Sequence, residues 1–221
     1  INKGMKAHEA QADHIWEVPY LPIDPADVGR TYESIVRINS QSGKGGVAFV
    51  MEKDFGFRMP KEMHPEFSRI IQEICEKRSC EIDPERIMDA FKAEYLSRKE
   101  PFALVSCVVK EHEADTSGHG FNIEIIATLK VQGKERTITG RGNGPIDAFS
   151  NAVKNELGIT FTLTSYFEHA LEQGSASKAA AYIRIEDPAG RPYWGVGVDT
   201  NIDTASFMAI LSAINRMVTQ G

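Results

Sequence analysis

The feature that most constrains this chain is an internal repeat. Displacing the sequence by 57 residues lays Gly133 on Gly190, Gly140 on Gly197, Ala148 on Ala205, Ala152 on Ala209, Val153 on Ile210 and Leu157 on Ile214. Upstream, FALVS (102–106) lies over FTLTS (161–165) at a displacement of 59. A nearly common displacement that carries turn glycines and helix-face apolar positions together calls for one supersecondary unit built twice. Within the first copy, Phe121, Ile123, Ile125, Ala127, Leu129 and Val131 alternate with mostly polar neighbours, the pattern of a half-buried strand. VQGKERTITG then turns at Gly133 into a second strand. Helical spacing follows at Ile146, Phe149, Ala152, Val153 and Leu157, with Gly158 just past the helix end. Each copy reads strand, strand, strand, helix. The expected fold class is α+β: small helical linker subdomains, then a duplicated βββα domain with pseudo-twofold symmetry. Two sheets, each covered by a helix on one face, would share a core.

The repeat occupies residues 99–221. Residues 1–38 form a different region, proline-rich in WEVPYLPIDPADVG, where Pro19, Pro22 and Pro25 hold the residues before them extended. Asp24 can cap a short helical turn with Pro25 in its first position. Residues 39–98 read as a helical unit. Phe67, Ile70, Ile71, Ile74 and Cys75 recur at helix spacing after Pro65, and Ile87, Phe91, Tyr95 and Leu96 do so after the Asp83–Pro84 start.

Composition narrows the function class. The net charge of -6 argues against a nucleic-acid partner, which needs a surplus of Lys and Arg. No apolar run approaches the roughly 20 residues of a membrane span. INKGMKAHEA lacks the apolar core of a signal peptide, and the chain opens without a methionine, as a piece of a longer protein would. Three cysteines, Cys75, Cys80 and Cys107, leave an odd count without a CxxC, which points to a reduced, cytoplasmic setting.

Local motifs are mostly accounted for without chemistry. HEAQADH (8–14) carries Ala12 where a zinc helix needs its second histidine. His64, His112, His119 and His169 are scattered, and only His169, beside Glu168 on an expected strand, is a candidate for lining a site. SGKGGVAF (42–49) lacks the first glycine and the Ser/Thr of a P-loop and reads as a glycine-rich helix start. GRGNGPIDAF (140–149) is richer. Gly144 can cap a helix, with Pro145 in its first position and Asp147 favouring the helix dipole. The free N–H groups of such a start also attract a carboxylate or phosphate. The second copy, VDTNIDTASF (198–207), loses the glycines and keeps a polar cap at Asn201. On the residues alone, a tight turn and an anion site both remain open.

The strings WEVPYLPIDPADVGRTYESIVRINSQSGKGGVAFVMEKDFGFRMP, GNGPIDAF, YFEHA and WGVGVDTNIDTASFMAILSAINR resemble the C-terminal half of the 2-isopropylmalate synthase family, over essentially the whole chain. The resemblance implies a homodimeric acyltransferase of leucine biosynthesis that condenses acetyl-CoA with 2-oxoisovalerate. Its catalytic barrel, with the divalent metal, would precede Ile1; this fragment would carry no cofactor and be inactive alone. Tyr20, in the VPYLP string, would reach the partner's active site. The last domain would bind leucine for feedback inhibition between two such domains. Carried over position by position, its pocket would use Gly142, Asn143, Gly144, Pro145, Asp147 and Ala148, then Leu163, Tyr166, Ala170, Ser177 and Ala179. Asp147 and Ser177 stand where the family carries small apolar residues. Rival readings are the isoleucine-sensing region of citramalate synthase and a purely structural dimerisation module.

Overall fold

A computed structural model describes residues 8, 16–18, 22–29, 44–78, 82–96, 98–112, 122–174 and 176–220. The chain divides into two compact units, Ile1–Val36 and Arg37–Gly221. In the first, Asp24 accepts a hydrogen bond from the Ala26 nitrogen at 2.9 Å and opens a 3-10 turn over Pro25–Val28, closed by Gly29 at φ 66°. Cap and proline are the signals read from the sequence there.

The second unit begins with three helices, α1 (Lys44–Phe55), α2 (His64–Arg78) and α3 (Pro84–Phe91), the last running into a π-turn over Lys92–Leu96. Asp83 caps α3, accepting from the Arg86 nitrogen at 2.8 Å. Phe67, Phe91 and Tyr95 are fully buried and pack edge-on or tilted, with ring centroids 5.3 to 5.8 Å apart. This aromatic cluster is the helical segment's own core.

Two βββα copies follow: β1 (Phe102–Glu111), β2 (Ile123–Val131), β3 (Lys134–Gly142) and α4 (Pro145–Leu157); then β4 (Thr162–Ala170), β5 (Ala179–Glu186), β6 (Pro192–Asp199) and α5 (Ile202–Gln220). Each set of strands is an antiparallel meander, in order β1-β2-β3 and β4-β5-β6. The repeat extends to irregularities, because a register shift interrupts β1 between Leu104 and Ser106 and β4 between Leu163 and Ser165. Phe121 lies outside the described residues.

Glycine fixes how closely each helix lies on its sheet. A Cβ on Gly140 would stand 2.4 Å from the Ala148 carbonyl oxygen and 2.5 Å from the Ala152 nitrogen. On Gly197 it would stand 1.9 Å from the Ala205 oxygen and 2.8 Å from the Ala209 nitrogen. These are the same contacts at the 57-residue displacement: a glycine on the third strand, and helix backbone against it. Phe149 and Phe207, one from each helix, stack with centroids 4.4 Å apart at the centre of the shared core.

The two copies differ in cover. In the first sheet burial alternates along β2, leaving Glu124, Thr128 and Lys130, with Thr137, Thr139 and Arg141 of β3, on an uncovered face. In the second, β5 and β6 are buried on both faces. One face lies under α5, and the π-turn and its neighbours pack on the other. The second sheet is therefore a middle layer, where one covered face per sheet was expected.

The covering contact is polar at its centre. Arg216 of α5 is 4% exposed, and donates to Glu66 at 2.7 Å, to Glu94 at 2.9 Å and to the Trp194 carbonyl at 2.7 Å. Its guanidinium lies over the Tyr95 ring, 4.6 Å from the centroid, and the Tyr95 hydroxyl donates to Glu66. Burial alone would raise Glu94, but Arg216, with hydrogen bonds from Gln220 and Arg98, brings its carboxyl below the usual value. Next to it, buried Asn215 bonds the Phe102 nitrogen and oxygen and the Arg98 carbonyl, tying α5 to the start of β1. Ser212 donates to the Tyr95 carbonyl.

Candidate functional site

GRGNGPIDAF forms the junction of β3 and α4. Gly144 is the cap residue, extended at φ -158° and making no side-chain cap bond, with Pro145 in the first position. Gly142 is buried under the helix: a Cβ there would lie 2.4 Å from the Ala148 nitrogen. The alternate glycines thus divide their work. Gly140 and Gly142 admit the helix, while Gly144, with open space around its Cβ position, exposes the start of α4.

Asp147 meets its own turn. Its Oδ2 accepts from the Asn143 nitrogen at 3.0 Å, and the Asn151 amide sits 3.4 Å from Oδ1. A carboxylate of the chain itself thus occupies one donor of this helix start.

The other five carried-over residues lie in the second copy. Leu163 and Tyr166 are on β4, paired with Ile185 and Ile183 on the core face. The Tyr166 hydroxyl is 3.3 Å from Ser206 Oγ on the first turns of α5 and bonds the Glu168 carboxylate. Burial and that carboxylate push the phenol up to about 12. Asp203, in the same turn, is raised by burial and by Glu168. Cys107 of β1, partly buried near Asp203, is pushed up to about 11. Ala170 and Ala179 face each other where β4 and β5 end. Ser177 closes that hairpin, its hydroxyl accepting from the Glu172 nitrogen at 3.0 Å and donating to the Lys178 carbonyl at 3.2 Å.

One chain therefore places the carried-over residues at two equivalent helix starts. Gly142, Asn143, Gly144, Pro145, Asp147 and Ala148 gather at α4, whereas Tyr166 leans on α5. A groove of about 660 Å³ reaches Tyr166 from the side of α1, with Phe49, Arg58 and Phe167 among its lining residues, and residues 142–148 do not line it. Glu168, Ser206 and Asp203 surround Tyr166 at the start of α5 and were not singled out as candidates from the sequence; their signal is the displaced copy of the glycine turn at Asn201. Tyr20 lies outside the described residues. Among the described residues no group of three or more His, Cys, Asp or Glu is placed to hold a metal ion, and no helix is long and apolar enough to cross a membrane.

Comparison with known proteins meets this geometry. Residues 81–218 match the family described as LeuA allosteric (dimerisation) domain, and residues 1–52 match the family described as alpha-isopropylmalate synthase, post-catalytic domain-like. Among curated relatives, 2-isopropylmalate synthase of Clostridium acetobutylicum is 48% identical over 98% of this chain and 38% of that protein. The same enzyme of Rhodospirillum rubrum is 43% identical over 98% of the chain and 38% of its own length. That of Mycobacterium ulcerans is 45% identical over 98% and 39%. The chain thus spans under two fifths of the length of these relatives. It belongs to the family of LeuA allosteric (dimerisation) domains, in the form that 2-isopropylmalate synthases carry.

Proposed function

We propose that this chain is the effector-binding and dimerising region of a 2-isopropylmalate synthase and that its effector is leucine. The observation that carries this reading is the family match over 81–218. The two half-sites support it physically. The α4 start offers backbone N–H groups to a carboxylate, and β4 with the α5 start offers an aromatic wall and the carboxylates Glu168 and Asp203 for an ammonium group. Since one chain holds them apart at different helix starts, a second copy would complete the pocket. Apolar side chains left exposed on β1, Val105 and Val108, support such a homodimer.

In the whole enzyme the same reading assigns condensation of acetyl-CoA with 2-oxoisovalerate to a barrel outside this chain, where a divalent metal would polarise the keto acid. Tyr20 would contribute a polar group to the partner's barrel. Leucine would act by binding one arrangement of the region better than another. In this reading the enzyme works in the cytoplasm and the chain alone is inactive.

Calorimetric titration of the chain with leucine, valine and isoleucine, alongside sedimentation, tests this. Binding of leucine in preference to the others by a dimer is the expected result. A preference for isoleucine would assign the citramalate pathway's effector, and a dimer that binds none of the three would be a structural module.

A further inference from the structure

β4 faces two ways. Tyr166 pairs with Ile183 on the core face, while Phe167 pairs with Tyr182 on the face that the helical segment covers. On that second face the His169 ring stands between two hydrogen-bond donors. Its Nε2 is 3.1 Å from the Arg58 backbone nitrogen and 3.1 Å from the Tyr182 hydroxyl, and its Nδ1 is 3.0 Å from the Ala170 carbonyl oxygen. A carbonyl can only accept, so Nδ1 carries the proton and Nε2 is the acceptor. Only a neutral imidazole serves all three partners. The Tyr182 ring stacks on it at 5.7 Å between centroids.

The chain bearing Arg58 is the turn that joins α1 to α2. Two residues earlier, Gly56 at φ 75° passes over the end of the same strand, where a Cβ would stand 3.0 Å from the Leu171 carbonyl oxygen. The turn is thus seated on β4 at two separate points, a close backbone approach and a hydrogen bond to an imidazole.

We propose that His169 is a pH-sensitive latch between the helical segment and the second βββα copy: the neutral ring holds the Arg58 backbone on β4, and a proton on Nε2 releases it. Protonation converts the acceptor into a donor. The Tyr182 hydroxyl can rotate to accept from it, whereas the Arg58 N–H is left facing another N–H. The charged and titratable groups around the ring are Arg58 on the turn, Glu52 on α1 and Tyr182 on β5. Burial holds the imidazole below its ordinary value and the Arg58 guanidinium pushes the same way, against the Ala170 carbonyl and Glu52. A histidine lowered in the folded state contributes fully above its unfolded value of about 6.5, and that contribution is lost as pH falls through the lowered value. The latch is closed at neutral pH and opens in mild acid.

Nitrogen NMR of the histidine rings, with hydrogen exchange at the Arg58 amide, tests this on the whole chain between about pH 4.5 and about pH 8. The expected result is an Nδ1-protonated neutral ring at the upper end. As His169 charges, the Arg58 amide should lose about tenfold of its protection, the equivalent of one hydrogen bond. His169→Gln, which still accepts but does not titrate, should keep the protection and flatten its pH dependence. His169→Phe should remove it at every pH; should that variant not fold, the wild-type titration and His169→Gln decide. A ring protonated on Nε2 at neutral pH, or Arg58 protection that falls equally with pH in His169→Gln, would overturn the latch.

Discussion

Gly140→Ala and Gly144→Ala, two glycines of one turn, should differ widely in cost. At Gly140 the new Cβ would meet the Ala148 oxygen at 2.4 Å, the Ala152 nitrogen at 2.5 Å and the Ala152 Cβ at 2.7 Å. Two of these are backbone atoms inside a helix, so no side chain can swing away, and α4 must lift by about 1 Å to restore ordinary contact. The face that lifts carries Ala148, Phe149, Ala152 and Val153, all fully buried. Their burial is worth on the order of 6 kcal/mol, and a gap of that size forfeits a quarter to a half of the contact. Gly140→Ala should therefore cost about 1.5–3 kcal/mol, within the range for overpacked cores. Gly144 has nothing within 4 Å of its Cβ position and is extended. Alanine there loses only the glycine preference of a helix cap, about 0.5–1 kcal/mol. Urea unfolding of both variants measures the difference, with leucine calorimetry on the same samples. Equal costs would refute the assignment of Gly140 to helix approach. A Gly140→Ala variant as stable as wild type but unable to bind leucine would make it a ligand residue.

Asp147→Ala frees the Asn143 N–H and removes a negative charge from the α4 start. If leucine places its carboxylate there, affinity should rise several-fold by calorimetry; a fall would give Asp147 the ammonium group instead. Arg216→Met should destabilise the chain by about 3–5 kcal/mol, because Glu66 and Glu94, with side chains 21% and 18% exposed, lose their buried countercharge. Adding Glu66→Gln and Glu94→Gln should recover part of that loss in the same urea titration, and no recovery would mean that charge is not what the joint depends on.

How far the sequence could be read depended on whether the physics was local. Caps, proline starts and strand alternation act over a few residues, so Asp24, Asp83, Gly144 and Gly158 stand where their patterns put them. The duplication was legible because helix backbone on strand demands glycine in both copies, at Gly140 and Gly197. The cover on the second sheet was harder to see, although its trace is present: AAAYIRIE is apolar nearly throughout, whereas KERTITGRG is mostly polar. The Arg216 joint left almost no trace. Its carboxylates lie 150 and 122 residues away, and an arginine in AILSAINRM reads as a solvated position until α2 and the π-turn are laid against it. The residues carried over from the resemblance could be named but not placed together, since spacing along a chain does not say which helix start β4 leans on. That contact is a tertiary one, from Tyr166 to Ser206.

The asymmetry of cover also bears on how an effector could act. The first copy has an open polar face, and among the described residues its helix packs mainly on its own sheet and against α5. The second copy is fastened to the helical segment at Arg216, Ser212 and His169. Under the proposed reading, leucine would join the α4 start of one chain to the β4 wall of another, linking a loosely held copy to a fastened one. Any shift the effector imposes on β4 would then pass directly to the turn at Arg58, because the strand that carries Tyr166 on one face carries His169 on the other. Two identical copies, each open on one face, would offer no such asymmetry, and a ligand between them could set dimer geometry but not the seat of the helices.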